Sequence, residues 1–167
     1  MAFSLLPKVI TWELTDITPE ILHNRGINLL MMDFDNTIVP YTTNIPTAAM
    51  KAWLSAMSSS DIDLCIVSNS KRDRVKVFAE KYGIPCITHS RKPFQKGIRE
   101  CLEKFHRNPS ACALVGDQIF TDTLGANCAG VTSILVSAID NHNIWLKLRH
   151  VAEQPFIYMA RKRRIKL

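Results

Sequence analysis

Three short apolar segments of this chain end abruptly at a cluster of polar residues. INLLMM (27–32) runs into DFDNT, DLCIV (63–67) runs into SNS, and ACALVG (111–116) runs into DQIFTD. Continuous apolar runs of this length are typical of strands that are buried on both faces, as in a parallel sheet. Because parallel strands present their carboxyl ends at one edge of the sheet, we expect the three polar clusters to meet there.

Segments of helical pattern separate these strands along the chain. Strands that alternate with helices predict an α/β fold, in which a doubly wound parallel sheet is flanked by helices on both faces. Five strands are predicted at 27–32, 63–67, 85–89, 111–116 and 131–136, and helices are predicted near 46–58, 71–82, 94–106 and 121–128.

The chain length of 167 residues suits one compact domain with short extensions. Residues 1–26 are predicted to form an N-terminal arm with a short helix. Pro19 fits the first position of that helix, and Asp16 or Thr18 can cap it. Residues 27–150 then form the main domain, and residues 151–167 form a basic C-terminal tail.

The net charge of +6 belongs mainly to that tail, because residues 161–167 carry five positive charges and the remainder carries only +1. No apolar stretch approaches the roughly 18–20 residues that cross a bilayer, and the first residues lack a secretory-signal pattern, so we expect a cytoplasmic protein. The tail is either solvated or in peripheral contact with the inner face of an anionic membrane. Nucleic-acid binding is disfavoured because no base-stacking platform accompanies the basic run.

Asp33, Asp35 and Asp117 are the acidic residues at the predicted strand ends. Carboxylates that converge at one sheet edge form an oxygen-rich site that suits Mg²⁺. A bound Mg²⁺ would keep Asp33 ionised, so that its carboxylate can attack phosphorus and form an aspartyl-phosphate. Asp33 and Asp35 are also compatible with a solvated turn or with a receiver-type phosphoacceptor.

The remaining polar residues can be assigned roles around a phosphate group. Asp35 can act as general acid and base, Ser68 can donate a hydrogen bond to a phosphoryl oxygen with the help of Asn69, and Lys92 can stabilise the charge of the same oxygens. Asp122 could hold a metal-bound water. The alternatives are helix capping for Ser68, Asn69 and Asp122, and an exposed charge for Lys92.

Four motifs in this order resemble the haloacid dehalogenase (HAD) phosphatase superfamily: DFDNT (33–37), VSNS (67–70), Lys92-Pro93 and GDQIFTD (116–122). In detail the chain is similar to the subfamily IIIA proteins of YqeG type. The resemblance implies a HAD-like Rossmannoid fold over the main domain. The intervals after the first and second motifs leave little room for a cap domain. The metal ligands expected from the residues and motifs together are Asp33, Asp35, Asp117 and Asp122.

The YqeG-type proteins are related to phosphatidylglycerophosphate phosphatase, so the resemblance implies a phosphatase in phosphatidylglycerol synthesis. The expected substrate is then a phospholipid head group, and an uncapped site is open enough for a substrate embedded in a membrane. Two alternatives stay open at this point. One is a cytoplasmic phosphatase of nucleotides or other small phosphomonoesters, and the other is a non-catalytic module that binds RNA or a GTPase.

Overall fold

The computed structural model describes residues 3–71, 73–140 and 144–162; for residues 144–150 and 161–162 only the backbone is described. Its strands are β1 (Val9–Ile10), β2 (Leu29–Met32), β3 (Asp63–Val67), β4 (Cys86–Ile87), β5 (Cys112–Gly116) and β6 (Thr132–Leu135). They form one parallel sheet in the order β1-β6-β5-β2-β3-β4.

Helices connect the strands and cover the sheet. They are α1 (Pro19–His23), α2 (Ala48–Ser58), α3 (Arg74–Tyr82), α4 (Lys96–Lys104), α5 (Leu124–Ala129) and α6 (Ile144–Lys162). A turn of π-helix, Ile119–Thr123, precedes α5 directly. The predicted fold class, a parallel sheet between helices, is therefore confirmed.

The two faces of the sheet bury alternate residues of β2, and this explains its uninterrupted apolar sequence. Leu30 and Met32 belong to one hydrophobic cluster, which contains the buried side chains of α2 and α3. Leu29 and Met31 belong to a second cluster on the opposite face, which contains buried residues of α4 and α5. All four side chains are fully buried.

The central strand β2 lies at the point where the order of the strands reverses. The chain proceeds from β2 to β3 and β4 on one side, and then returns to place β5 and β6 on the other side. Met32, the last residue of β2, is in register with Ile66 of β3 and Val115 of β5. Such a switch point opens a crevice at the carboxyl ends of the strands, where ligands bind in folds of this kind.

The N-terminal arm contributes a strand that the sequence analysis missed. Val9 pairs with Ile134 and Ile10 with Leu135, so β1 is the edge strand beside β6. Among the described residues the sheet thus has six strands instead of the predicted five. A strand of two residues is too short to produce a recognisable periodicity. The short helix of the arm was predicted correctly, because α1 begins at Pro19 and the hydroxyl of Thr18 accepts a hydrogen bond from the N–H of Ile21.

The C-terminal segment is helical over much of its length, whereas the sequence analysis treated residues 151–167 as a tail. Helix α6 continues through Lys162 and includes Pro155. Residues 163–167, which hold part of the basic run, lie outside the described residues. In the part of the chain that the structure describes, no helix is both long and apolar enough to cross a membrane.

Residues 33–62 are all described, and between β2 and β3 they contain only a loop and α2. This interval therefore holds no inserted cap domain.

Candidate active site

Three buried carboxylates converge beyond the ends of β2 and β5. Asp33 is the first residue after β2, Asp117 is the first residue after β5, and Asp122 lies in the π-helical turn that follows. Each contributes one carboxylate oxygen to a group whose members all lie within 4.8 Å of one another. Residues 84 positions apart in the sequence thus meet at the topological switch point, as the strand ends predict.

The position of Asp122 depends on the absence of a side chain at residue 116. A Cβ atom at Gly116 would overlap the carboxylate of Asp122, so only glycine permits this close approach. The backbone N–H of Gln118 donates a hydrogen bond to Oδ2 of Asp122, with a distance of 3.1 Å between the two atoms. Asp122 is therefore fixed against β5 and is not a freely rotating cap.

Lys92 is the cation of this cluster. Its Nζ lies 2.6 Å from Oδ1 of Asp33 and 2.7 Å from Oδ1 of Asp122, and its side chain is buried. Burial by itself lowers the pKa of the ammonium group, but the charges of Asp122 and Asp33 outweigh it and raise the pKa well above its ordinary value. Lys92 is consequently charged at every physiological pH and is not merely an exposed basic residue.

Burial acts in the opposite sense on the neighbouring Asp33 carboxylate. Burial raises the pKa of Asp33, Lys92 lowers it, and the charges of Asp122 and Asp35 raise it; together they move this pKa from 3.8 to about 6. Asp33 is still ionised at neutral pH, as a nucleophile must be. A perturbed carboxyl group in a crevice is a recognised mark of a functional site.

Asp35, which the sequence analysis also included among the metal ligands, is not one of the three grouped carboxylates. Its Oδ1 lies 3.3 Å from the guanidinium of Arg74 at the start of α3. Arg74 also donates hydrogen bonds to the carbonyl oxygens of Pro40, Tyr41 and Thr43. Arg74 thus connects Asp35 to the loop after it.

Sequence reasoning missed Arg74 because nothing in its local sequence distinguishes it. It is one of four basic residues in the stretch KRDRVK (71–76), and its partners lie more than 30 residues earlier in the chain. Its only sequence signal is its position near the start of the helix that follows the SNS cluster.

Ser68 and Asn69 follow β3 at the same edge of the sheet. The hydroxyl of Ser68 accepts a hydrogen bond from the N–H of Ser70 at 3.1 Å, so its own proton stays available for a ligand. Asn69 contacts the segment that carries Lys92: its Oδ1 accepts from the N–H of Lys92 at 2.7 Å and from the hydroxyl of Ser90 at 2.8 Å, and its Nδ2 donates to the carbonyl of Lys92.

Replacing Asn69 with Ala is expected to lower the turnover number about tenfold, because the segment that aims Lys92 loses three hydrogen bonds with a net worth of roughly 1–2 kcal/mol. Phosphate release at saturating substrate measures this effect. Asn24, which is exposed at the end of α1, provides the matched Asn-to-Ala control. Equal activities of the two variants would contradict the role of Asn69 in positioning Lys92.

Acidic side chains at adjacent strand ends, a buried lysine between them and a hydroxyl at a third strand end, all on a doubly wound parallel sheet, define a phosphatase of the HAD type. The fold agrees with this class. A haloacid dehalogenase-like family hydrolase from Streptococcus pneumoniae superposes with a TM-score of 0.54 at 14% identity, over 77% of this chain and 91% of that chain.

Sequence comparison narrows the class to a family. The family described as Mitochondrial PGP phosphatase matches residues 3–139, and this chain belongs to that family. The protein named "Probable phosphatase YqeG" of Bacillus subtilis is 36% identical over 78% of this chain and 76% of its own length. "Phosphatidylglycerophosphatase GEP4, mitochondrial" of Saccharomyces cerevisiae is 36% identical over 63% of this chain and 64% of its own length. The chain is therefore a phosphatase.

Proposed function

We propose that this phosphatase hydrolyses phosphatidylglycerophosphate to phosphatidylglycerol, with Mg²⁺ as its cofactor and a phosphorylated Asp33 as its intermediate. The observation that carries this proposal is the convergence of three buried carboxylates around one lysine, with an oxygen of each within 4.8 Å of the others. Burying charged groups costs free energy. Catalysis explains why a chain would bury three carboxylates together, whereas a module that only binds a partner does not need them.

The donor set fits a divalent cation. Asp33, Asp117 and Asp122 offer carboxylate oxygens, which are the ligands that Mg²⁺ prefers. Their three negative charges face the single positive charge of Lys92, so a divalent cation would balance the cluster. When bound, Mg²⁺ would supply electrostatic stabilisation to the transferring phosphoryl group.

We expect the affinity for Mg²⁺ to fall as the pH falls below about 6, because a proton on Asp33 then competes with the cation. Below that pH the dissociation constant should rise by about tenfold per pH unit, and above pH 7 it should be nearly constant. Titration calorimetry of the metal-free protein between pH 5 and pH 8 measures this dependence. An affinity that does not change across this range would contradict the assignment of Asp33 as a ligand.

In the first proposed step, an oxygen of Asp33 forms a bond to phosphorus while the bond between phosphorus and the ester oxygen breaks. Asp35, two residues along the chain, donates its proton to the leaving oxygen. The contact of Asp35 with Arg74 holds this carboxylate beside the loop that follows β2.

In the second step, Asp35 accepts a proton from a water molecule, and the oxygen of that water attacks phosphorus. The bond between phosphorus and Asp33 breaks, which regenerates the carboxylate and releases inorganic phosphate. Lys92 contributes a fixed positive charge throughout both steps, and Ser68 contributes a hydroxyl donor to the phosphoryl oxygens.

Two observations support a lipid substrate. A relative with 36% identity bears the name Phosphatidylglycerophosphatase, and the chain belongs to a family of that description. In addition, residues 33–62 hold no cap domain over the carboxyl edge of the sheet, so a head group at a membrane surface can reach Asp33. A substrate enclosed by a cap would first have to leave the membrane.

Phosphate release from vesicles that contain phosphatidylglycerophosphate tests this substrate directly. With Mg²⁺ present, we expect a higher kcat/KM on these vesicles than on glycerol 3-phosphate or p-nitrophenyl phosphate. Equal or faster hydrolysis of the soluble esters would reject the lipid substrate and favour a phosphatase of small phosphomonoesters. Loss of all activity on addition of a chelator is the corresponding expectation for the cofactor.

A cytoplasmic location, with peripheral contact at the inner face of the membrane, follows from the same proposal. Tyr158 and Met159 are exposed on α6, close to the basic run that begins at Arg161. Basic residues near an anionic surface contribute about 1 kcal/mol each, and neighbouring apolar side chains can enter the interface. Flotation with anionic vesicles should recover the protein, and a variant that ends at Ala160 should float less. Equal flotation would exclude the basic run as the contact.

A further inference from the structure

The one acidic residue of α6 contacts the loop that carries two of the site's carboxylates. Glu153 is only 1% exposed, although it belongs to a segment that is polar and basic in sequence. Its Oε1 accepts hydrogen bonds from the backbone N–H of Ile119 at 2.9 Å and of Phe120 at 3.4 Å. Both donors lie between Asp117 and Asp122.

Residues 117–123, which we name the acid loop, are closed on themselves by a set of hydrogen bonds. The N–H groups of Asp122 and Thr123 donate to the carbonyl of Gln118, while the N–H of Gln118 donates to Oδ2 of Asp122. Any movement of Gln118 therefore moves Asp122 as well. The first N–H groups of a helical turn have no hydrogen-bond acceptor within the turn. At residues 119 and 120 the carboxylate of Glu153 is that acceptor.

Two further observations place α6 beside the same loop. The rings of Phe120 and Phe156 meet edge to face, with their centroids 6.1 Å apart. A cavity of about 330 Å³ is lined by Asp117 together with Gln154 and Ile157 of α6. The contact of Glu153 is thus part of a packed interface between α6 and the acid loop.

We propose that Glu153 is a positioning residue for the metal site. By accepting from Ile119 and Phe120, it holds the acid loop in the one conformation that brings Asp117 and Asp122 to Asp33. This inference rests on the proposed metal site. It extends that proposal to a helix that contributes none of the three carboxylates. The C-terminal helix then supports catalysis by positioning two of the metal ligands.

A hydrogen bond that orients a ligand typically changes metal affinity by about 10- to 100-fold when it is removed. Glu153→Ala removes the acceptor of two N–H groups and leaves Asp33, Asp117 and Asp122 in place. Glu153→Gln keeps an oxygen that can accept both of these hydrogen bonds, but it lacks the negative charge that strengthens them. A positioning role therefore predicts a graded loss of affinity, which is larger for Ala than for Gln.

Titration calorimetry with Mg²⁺ and with Mn²⁺, at a temperature well below unfolding, measures this loss without any catalytic turnover. We expect the dissociation constant to rise about 10- to 100-fold for Glu153→Ala and about 3- to 10-fold for Glu153→Gln. Val151→Ala, at a position of α6 that is 67% exposed, is the matched control and should bind like the parent protein. Should the Ala variant fail to fold, the Gln variant alone decides.

The outcomes separate this inference from the proposed function. Unchanged affinity in Glu153→Gln and in a folded Glu153→Ala, with or without a lower Tm, would overturn the positioning role and leave a structural role only. Asp117→Asn tests the metal site itself. If Asp117→Asn binds the cation as tightly as the parent protein, the proposed metal site fails. If Asp117→Asn loses binding while the Glu153 variants retain it, only the present inference fails.

Discussion

Replacing Asp33 with Asn is expected to reduce turnover by at least about 10⁴-fold, because the amide has no oxygen nucleophilic enough to form a bond to phosphorus. The fold should survive the change. Lys92 keeps its second contact, 2.7 Å from Asp122, and one of three mutually repelling carboxylates becomes neutral. Phosphate release and the midpoint of thermal unfolding, measured in parallel, test both parts of this expectation.

Asp73→Asn supplies the matched control for this variant. The side chain of Asp73 is 90% exposed at the start of α3, so the same chemical change there should alter neither turnover nor Tm. Turnover within tenfold of the parent protein in Asp33→Asn would contradict the nucleophilic role. Such a result would instead favour a mechanism in which water attacks phosphorus directly.

Replacing Lys92 with Met is expected to produce the largest loss of stability of any variant considered for this site. It leaves Asp33 and Asp122 buried without the cation that contacts both of them. Removing one partner of a buried ion pair typically costs about 3–5 kcal/mol of unfolding free energy. Urea denaturation without metal measures this cost. Mg²⁺ should restore part of the loss, because a divalent cation supplies positive charge to the same oxygens.

A second substitution identifies the origin of this loss. In Lys92→Met combined with Asp122→Asn, one of the stranded charges is removed, so the double variant should be more stable than Lys92→Met alone. Lys104→Met, at an exposed position of α4, controls for the change of side chain. A double variant that is less stable than the single variant would show that packing, and not charge, dominates at this position.

The sequence is informative about the acidic core of the site because strand ends leave a clear pattern. Strands that are buried on both faces have continuous apolar sequences, and the first polar residue after each of them lies at the carboxyl edge of the sheet. Asp33 and Asp117 follow this rule, and the structure brings them together. Asp122 follows at a spacing of five residues, which the π-helical turn Ile119–Thr123 accommodates.

Contacts between distant segments were not predictable from such local patterns. The proximity of Asp35 to Arg74 depends on how the loop after β2 packs against the start of α3. The three hydrogen bonds of Asn69 depend likewise on the path of the chain around Lys92. Neither arrangement has a period or a spacing that a single sequence reveals.

The ends of the chain were the least predictable parts of the fold. Val9 and Ile10 join the sheet through a strand of only two residues, and α6 belongs to a segment whose basic residues suggest a solvated tail. One signal in the tail was available. Glu153 is the only acidic residue after Asp140 in the sequence. The structure adds that its side chain is buried, which the sequence did not indicate.

Chemical trapping of the intermediate tests the central claim most directly. Enzyme mixed with excess substrate and Mg²⁺ is quenched within milliseconds and treated with borohydride, which reduces an aspartyl-phosphate to homoserine, and the peptides are then identified by mass spectrometry. A nucleophilic Asp33 predicts homoserine at position 33, only with substrate present and never in Asp33→Asn. Modification of a different residue, or rapid turnover with no modified residue at all, would contradict it.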